Sequence, residues 1–282
     1  METLGFTKKK IYFALFIYAA AGILVLFCLL PVVWMLSTSL KTYSETFATP
    51  PHWIPRVLTL EPYMNMWRIQ SFVRYFMNSV IVATATTLLA VLFAALAGYG
   101  FSRCTFKGAN MLLVFTLVTQ MFPSIVLIIP YFIVMSKLGL INSYASLIIA
   151  YMSFSLPFCI WMLKGFFDTI PRELDEAAMI DGCSRLKAFL WVIIPLSLPG
   201  IFATILFSFL VAWTEFLFAL CLTITPDMAT VTVGITSLVG QYRVYWNELM
   251  AASIVASIPT ICLCIFLEKY LIRGLTLGAV KG

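Results

Sequence analysis

Charge is scarce in this sequence. Of 282 residues, 11% are Asp, Glu, Lys or Arg, against about 25% in soluble globular chains, while 62% are hydrophobic and the mean hydropathy is +1.01. That leaves too little polar surface to wrap a water-soluble core, so soluble architectures are excluded, and a domain count from length alone does not apply. Histidine occurs once, at His52 among Pro50, Pro51 and Pro55, which argues for a surface position over a metal site or proton relay. The seven cysteines (Cys28, Cys104, Cys159, Cys183, Cys221, Cys262 and Cys264) form no C-x-x-C pair, against both a disulfide framework and a zinc site. No G-x-x-x-x-G-K-[ST] run is present, so the sequence offers no P-loop nucleotide site. Convincing internal repeats are also missing.

What is present is apolar length. A hydrocarbon core of about 30 Å needs roughly 20 residues of helix, and six long windows are free of Asp, Glu, Lys and Arg. They cover residues 11–40, 75–102, 108–136, 138–163, 188–214 and 249–267, the fifth continuing past Glu215 to Pro226. The prediction is one all-α, polytopic membrane domain over residues 1–282, with six transmembrane helices and both termini on one side. Lys8, Lys9 and Lys10 before the first window resemble the start of a signal peptide. The apolar run is too long for one and passes through Pro31 and Trp34, so it reads as an uncleaved first helix.

The net charge of +6 would suggest nucleic acid in a soluble chain, but here its placement reports topology. With the N-terminus cytoplasmic, 12 of the 18 basic residues fall inside: Lys8, Lys9, Lys10, Arg103, Lys107, Lys164, Arg172, Arg185, Lys187, Lys269, Arg273 and Lys281. Outside fall Lys41, Arg56, Arg68, Arg74, Lys137 and Arg243. The bias predicts cytoplasmic termini and no nucleic-acid partner. In the first outer loop, Tyr63, Trp67 and Phe72 predict a short amphipathic segment at the membrane interface.

Nine of the 24 residues from Lys164 to Lys187 are charged, in a loop predicted to be cytoplasmic. A helix over 171–181 is expected, with Pro171 at its first position, Glu173, Asp175 and Glu176 complementing the N-terminal dipole, and Gly182 as its stop. Leu174, Ala177, Ala178 and Met179 or Ile180 would form an apolar patch among the acids. Small residues at Ala177 and Ala178 would admit another backbone. A solvated linker with ordinary helix charges explains the same composition.

The spacing goes further. Glu176-Ala177-Ala178, three residues, Gly182, nine residues, then Val192-x-Ile194-Pro195 resembles the E-A-A-x3-G-x9-I-x-L-P loop of binding-protein-dependent ABC importer permeases. Val192 and Ile194 stand where that pattern has Ile and Leu. Glu173-Leu174-Asp175-Glu176-Ala177-Ala178 followed by Asp181-Gly182, then Pro195-Leu196-Ser197-Leu198-Pro199-Gly200, the run Ala212-Trp213-Thr214-Glu215-Phe216 with Thr214 in place of an Asn, and the ending Gly274-Leu275-Thr276 through Gly278-Ala279-Val280-Lys281-Gly282 are similar to the carbohydrate branch, particularly the smaller permease of maltose-type systems. The resemblance implies a type I ABC importer permease architecture and a coupling loop over about 164–197. Its helix would dock on a cytoplasmic ATPase through Glu176, Ala177, Ala178, Asp181, Gly182 and Pro195. It implies a second permease in a heterodimer, two ATPase subunits that hold the ATP and Mg, and an extracellular or periplasmic substrate-binding protein. This chain itself would bind no cofactor and catalyse no bond chemistry, in a prokaryotic cytoplasmic (inner) membrane. The outer loop 223–247 corresponds to one that reaches toward the binding protein, with Gly234 and Gly240 permitting a protruding turn.

Glu215 is the acid well inside a predicted span, and with Trp213 it is a candidate for the substrate path. It lies 16 residues beyond Pro199, about 24 Å of helix, near the outer interface, where a hydrogen-bonded belt position is the weightier reading. The many aromatics are explained by belts and helix packing, so no sugar-binding residues are assigned. Pro123, Pro130, Pro157 and Pro259 are expected to kink their spans. Two rival functions are a permease of this architecture for another solute, such as glycerol phosphate, and an ion-coupled secondary transporter. The first would favour cations along the path and the second paired mid-membrane ionisable groups; the span interiors supply neither.

Overall fold

Every apolar window is helical, as a medium without water requires: backbone N–H and C=O groups there must satisfy one another within the segment. The computed structural model describes the backbone of residues 2–69, 72–240 and 243–279, and side chains within 12–68, 72–240 and 243–270. Val280, Lys281 and Gly282 of the terminal motif lie outside the described residues. Four windows are continuous helices long and apolar enough to cross a membrane: Tyr12–Ser39 in α1 (Glu2–Ser39), α3 (Phe72–Arg103), α6 (Tyr144–Asp168) and Trp246–Tyr270 in α13 (Trp246–Ala279). Between α1 and α3 lies the short helix α2 (Glu61–Ile69), which contains Tyr63 and Trp67 of the expected amphipathic segment, while Phe72 opens α3 instead.

The third and fifth windows differ from the single helices expected. α4 (Ala109–Val118) runs through a 3-10 turn to Met121, then meets α5 (Ser124–Lys137) at a 99° bend. Phe122 is extended there and Pro123 follows, because proline disfavours helical geometry in the residue before it and lacks the N–H to continue the ladder. The fifth bends by 80° between Leu196 and Leu198, so α10 (Leu198–Thr214) starts afresh. Pro130, Pro157 and Pro259, by contrast, lie inside continuous helices.

The chain divides into two compact units. One comprises Met1–Ile69 and Leu238–Val255. Here Asn247 Nδ2 donates to the Lys41 carbonyl at 3.3 Å, Ser39 Oγ and Tyr63 OH lie 2.8 Å apart, and Asn65 Nδ2 donates to Glu248 Oε1 at 3.3 Å. Lys41, just past the first window, is only 2% exposed. Its ammonium donates to the His52 carbonyl and lies 4.3 Å from the Trp34 ring centroid. Burial pushes its pKa down, and nearby Glu45 opposes that shift. His52 is half-buried rather than freely exposed, with Nδ1 3.6 Å from Glu45 Oε1.

The second unit, Gln70–Ser237 and Ala256–Gly282, is built on α3, α6 and α10. α3 presents Ala83, Ala90, Ala94 and Gly98 to the interior, and small residues let helix backbones approach closely. At Gly98 a methyl group would sit 3.0 Å from the Lys164 backbone nitrogen and 3.3 Å from the Ile160 carbonyl oxygen of α6. Below this crossing, Tyr99, Leu163, Phe167, Phe189 and Ile193 form one buried cluster with Ala94 and Cys159. Gly234 is not in a protruding turn: it lies inside α12 (Val231–Thr236), buried against the Tyr75 ring. Gly240, in the first unit, donates its N–H to the Arg243 carbonyl at 2.9 Å.

Candidate functional site

The segment from α6 to α10 carries the E-A-A spacing. α7 (Glu173–Ile180) begins two residues after Pro171, with Glu173, Asp175 and Glu176 in its first turn, where carboxylates meet the positive end of the helix dipole. Its other end closes as a Schellman motif. Gly182 takes φ +88°, its N–H donates to the Met179 carbonyl at 3.1 Å, and the Cys183 N–H donates to the Ala178 carbonyl at 3.0 Å. A side chain at Gly182 would be strained in that left-handed conformation. Ser184 then caps α8 (Arg185–Ala188) by accepting from the Lys187 N–H at 3.3 Å. A π turn, Phe189–Ile193, leads into the single turn α9 (Ile194–Leu196) containing Pro195.

The short helix has two unlike faces. Glu173, Leu174, Glu176, Ala177, Met179, Ile180 and Asp181 are exposed, with Ile180 at 86%. Gly182 and Pro195 are exposed as well, while Val192 and Ile194 are half-buried. Ala178, expected beside Ala177 in the outward patch, faces inward, one helical turn from Asp175. The outward apolar set is therefore Leu174, Ala177, Met179 and Ile180.

Asp175, read in the sequence as a dipole-complementing acid and as part of the run Glu173 to Ala178 but not among the coupling residues, has partners that sequence reasoning missed. Its Oδ2 lies 2.7 Å from Arg103 Nε and its Oδ1 accepts from Tyr99 OH at 2.8 Å. The side chains of Arg103 and Asp175 are 7% and 8% exposed. Arg103 also donates from Nη2 to the Ile170 carbonyl at 3.0 Å and from Nη1 to Ser102 Oγ at 3.2 Å. Arg172 Nη2 donates to the Ser102 carbonyl at 2.9 Å, satisfying an end group of α3. Tyr99 and Arg103 stand four residues apart on one face of α3, a local signal that could have marked them as a pair. The Tyr99 ring lies 4.6 Å from that of Phe189, so the π turn is held on the same ground. A polar cavity of about 670 Å³ adjoins, lined by Arg103, Lys164, Asp168, Arg172 and Glu173 among others.

Glu215 and Trp213 sit at the other end of α10. Helix α10 stops at Thr214, and the half-buried Glu215 is extended. Its carboxylate accepts from the Phe218 N–H at 2.9 Å and the Ala219 N–H at 3.1 Å, capping α11 (Leu217–Leu222). Trp213 is buried, and its indole N–H donates to the Ala256 carbonyl at 3.0 Å. Among the described residues, no group of three or more His, Cys, Asp or Glu could hold a metal ion.

Residues 90–276 match the family described as binding-protein-dependent transport system inner membrane component. The chain is 38% identical to the sulfoquinovosyl glycerol transport system permease protein SmoH of Agrobacterium fabrum, over 94% of this chain and 93% of that one. It is 37% identical to the trehalose/maltose transport system permease protein MalG of Thermococcus litoralis, over 98% and 99%. It is 32% identical to the diacetylchitobiose uptake system permease protein DasC of Streptomyces coelicolor, over 98% and 100%. Its fold resembles a chain of a crystallised bacterial ABC transporter that imports the acidic polysaccharide alginate, with TM-score 0.77 at 19% identity, over 92% and 96%.

Proposed function

The chain belongs to the family of binding-protein-dependent transport system inner membrane components, multi-pass transport subunits and not enzymes, and on that premise we propose that it forms half of the translocation pathway of an ATP-driven sugar importer. The observation that carries the proposal is α7: a short helix capped at its C-terminus by Gly182, with Glu176, Ala177 and Asp181 on an open face. A rigid helix with an unpartnered face can dock on a second protein and pass on its displacement. In this reading the loop 164–197 lies on the cytoplasmic side with both termini. It receives one of two ATPase subunits, which hold the ATP and Mg, and this chain holds no cofactor. A second, different permease completes the pore, and a substrate-binding protein delivers the sugar outside. The apolar side chains of α1, such as Tyr18, Leu24 and Phe27, are exposed, as suits lipid or that second permease. The relatives named for trehalose/maltose, diacetylchitobiose and sulfoquinovosyl glycerol support a carbohydrate as the solute.

The test is to recover the chain from its native membrane in detergent and identify what comes with it by mass spectrometry. The recovered complex is then reconstituted in vesicles with internal ATP and its binding protein, and uptake of a labelled sugar panel is measured. The expected result is an ATPase, a second permease and ATP-dependent uptake of at least one sugar. Recovery without an ATPase, with uptake driven by an ion gradient, would overturn the reading.

A further inference from the structure

Resting on that function, we infer that Asp175, Arg103 and Tyr99 form the joint through which displacement of α7 enters the membrane-spanning bundle, with Asp175 as its positioning residue. The open face of α7 is free for a partner, so whatever moves the helix must be resisted or followed by its inner face. Only Asp175 and Ala178 are buried there. Ala178 offers a methyl group, which permits sliding. Asp175 offers two oriented bonds to residues more than seventy positions earlier, both on the last turns of α3.

The geometry makes this joint stiff. Both carboxylate oxygens are engaged, one by a guanidinium and one by a phenol, and charge-assisted bonds of this kind are the strong ones. The pair is almost wholly out of solvent, so salt screens it little. Arg103 further holds the Ile170 carbonyl and Arg172 holds the Ser102 carbonyl, so the approach to α7 is tied to the same helix end from both sides. The ring of Tyr99 packs 4.6 Å from Phe189 and 6.2 Å from Phe167, placing the joint directly on the buried cluster shared by α3, α6 and the π turn. A push on α7 is thereby delivered to α3 and not absorbed in the loop.

The experiment uses the complete transporter in vesicles and reads sugar molecules imported per ATP hydrolysed, alongside ATPase recovery and unfolding temperature. If the wild-type complex imports no sugar with ATP, the proposed function fails and the joint is not at issue. With wild-type import established, Asp175→Asn and Arg103→Gln are each expected to retain the ATPase while lowering sugar imported per ATP about tenfold. The double variant should be no worse than the more severe single, because the Arg103–Asp175 pair is already lost in each. Tyr99→Phe, which removes a single hydroxyl and keeps the ring packing, should lower the same ratio about threefold and serves as the deciding variant if the charge variants do not fold. A ratio unchanged in Tyr99→Phe and in whichever charge variants fold, or a loss of uptake matched by loss of the ATPase, would overturn the joint.

Discussion

Asp175 and Glu215 are both carboxylates beside membrane-spanning helices, and the chain uses them in opposite ways. Glu215 turns mainly to its own neighbourhood, accepting from N–H groups three and four residues on, with the buried Tyr151 hydroxyl close to its carboxylate. Asp175 ignores its neighbours and binds side chains 72 and 76 positions away. The first arrangement shapes a helix end; the second welds two elements together. An isolated acid in an apolar stretch therefore need not handle substrate, and an ordinary acid in a charged loop can carry the longer-range consequence.

The sharpest way to break this contrast is to remove each carboxylate. Asp175→Ala leaves the Arg103 guanidinium buried without its counter-ion, and is expected to destabilise the protein by about 3–5 kcal/mol, read as a large drop in unfolding temperature in detergent. A drop no larger than that of an exposed acid such as Glu173 would show that the pair is not buried in the folded protein. Next in size is Gly182→Pro, which sets φ near −65° where the chain needs +88° and deletes the N–H that bonds the Met179 carbonyl. The protein should still insert, while co-purification of the ATPase falls to background. Glu176→Lys, on the open face, should insert with normal stability and lose the same partner.

Glu215→Gln keeps one acceptor oxygen for α11 and should reduce stability by only about 0.5–1.5 kcal/mol with sugar uptake near normal. Abolished uptake with an unchanged unfolding temperature would move Glu215 from the cap to the solute path. The smallest effect concerns the buried cation Lys41. Its folded pKa is depressed, so below the ordinary lysine value of 10.5 the unfolded chain binds more protons than the folded one. Resistance of the segment between Lys41 and Glu61 to proteolysis should rise as pH increases toward that value and become flat in Lys41→Met.

The sequence made the helices legible and their breaks less so. Windows without charge report what hydrocarbon tolerates, which is why all six are helical and four are unbroken. The 99° bend before Pro123 and the 80° bend at Ser197 came out sharper than kinks, while Pro130 and Pro157 broke nothing. Proline supplies a missing N–H in each case, and packing decides whether the chain turns there. In the loop, Gly182 was readable as a stop because its cap is made with residues three to five positions back. The inward turn of Ala178 and the partners of Asp175 were not, since burial on a short helix depends on which distant element lies beneath it. The burial of Lys41 and Glu248, each bordering an apolar window, was not readable for the same reason.

The contact at Gly98 bears on how genetic screens of this protein will be read. Two rigid helix backbones pass so near that even alanine would press on the Lys164 nitrogen, and neither main chain can swing aside as a long side chain would. A saturation library scored for growth on the transported sugar will mark position 98 as intolerant as any in the coupling loop. That intolerance will report the spacing of two struts and no encounter with solute or partner, so a map of forbidden substitutions will overstate the size of the working surface unless backbone proximity is subtracted first.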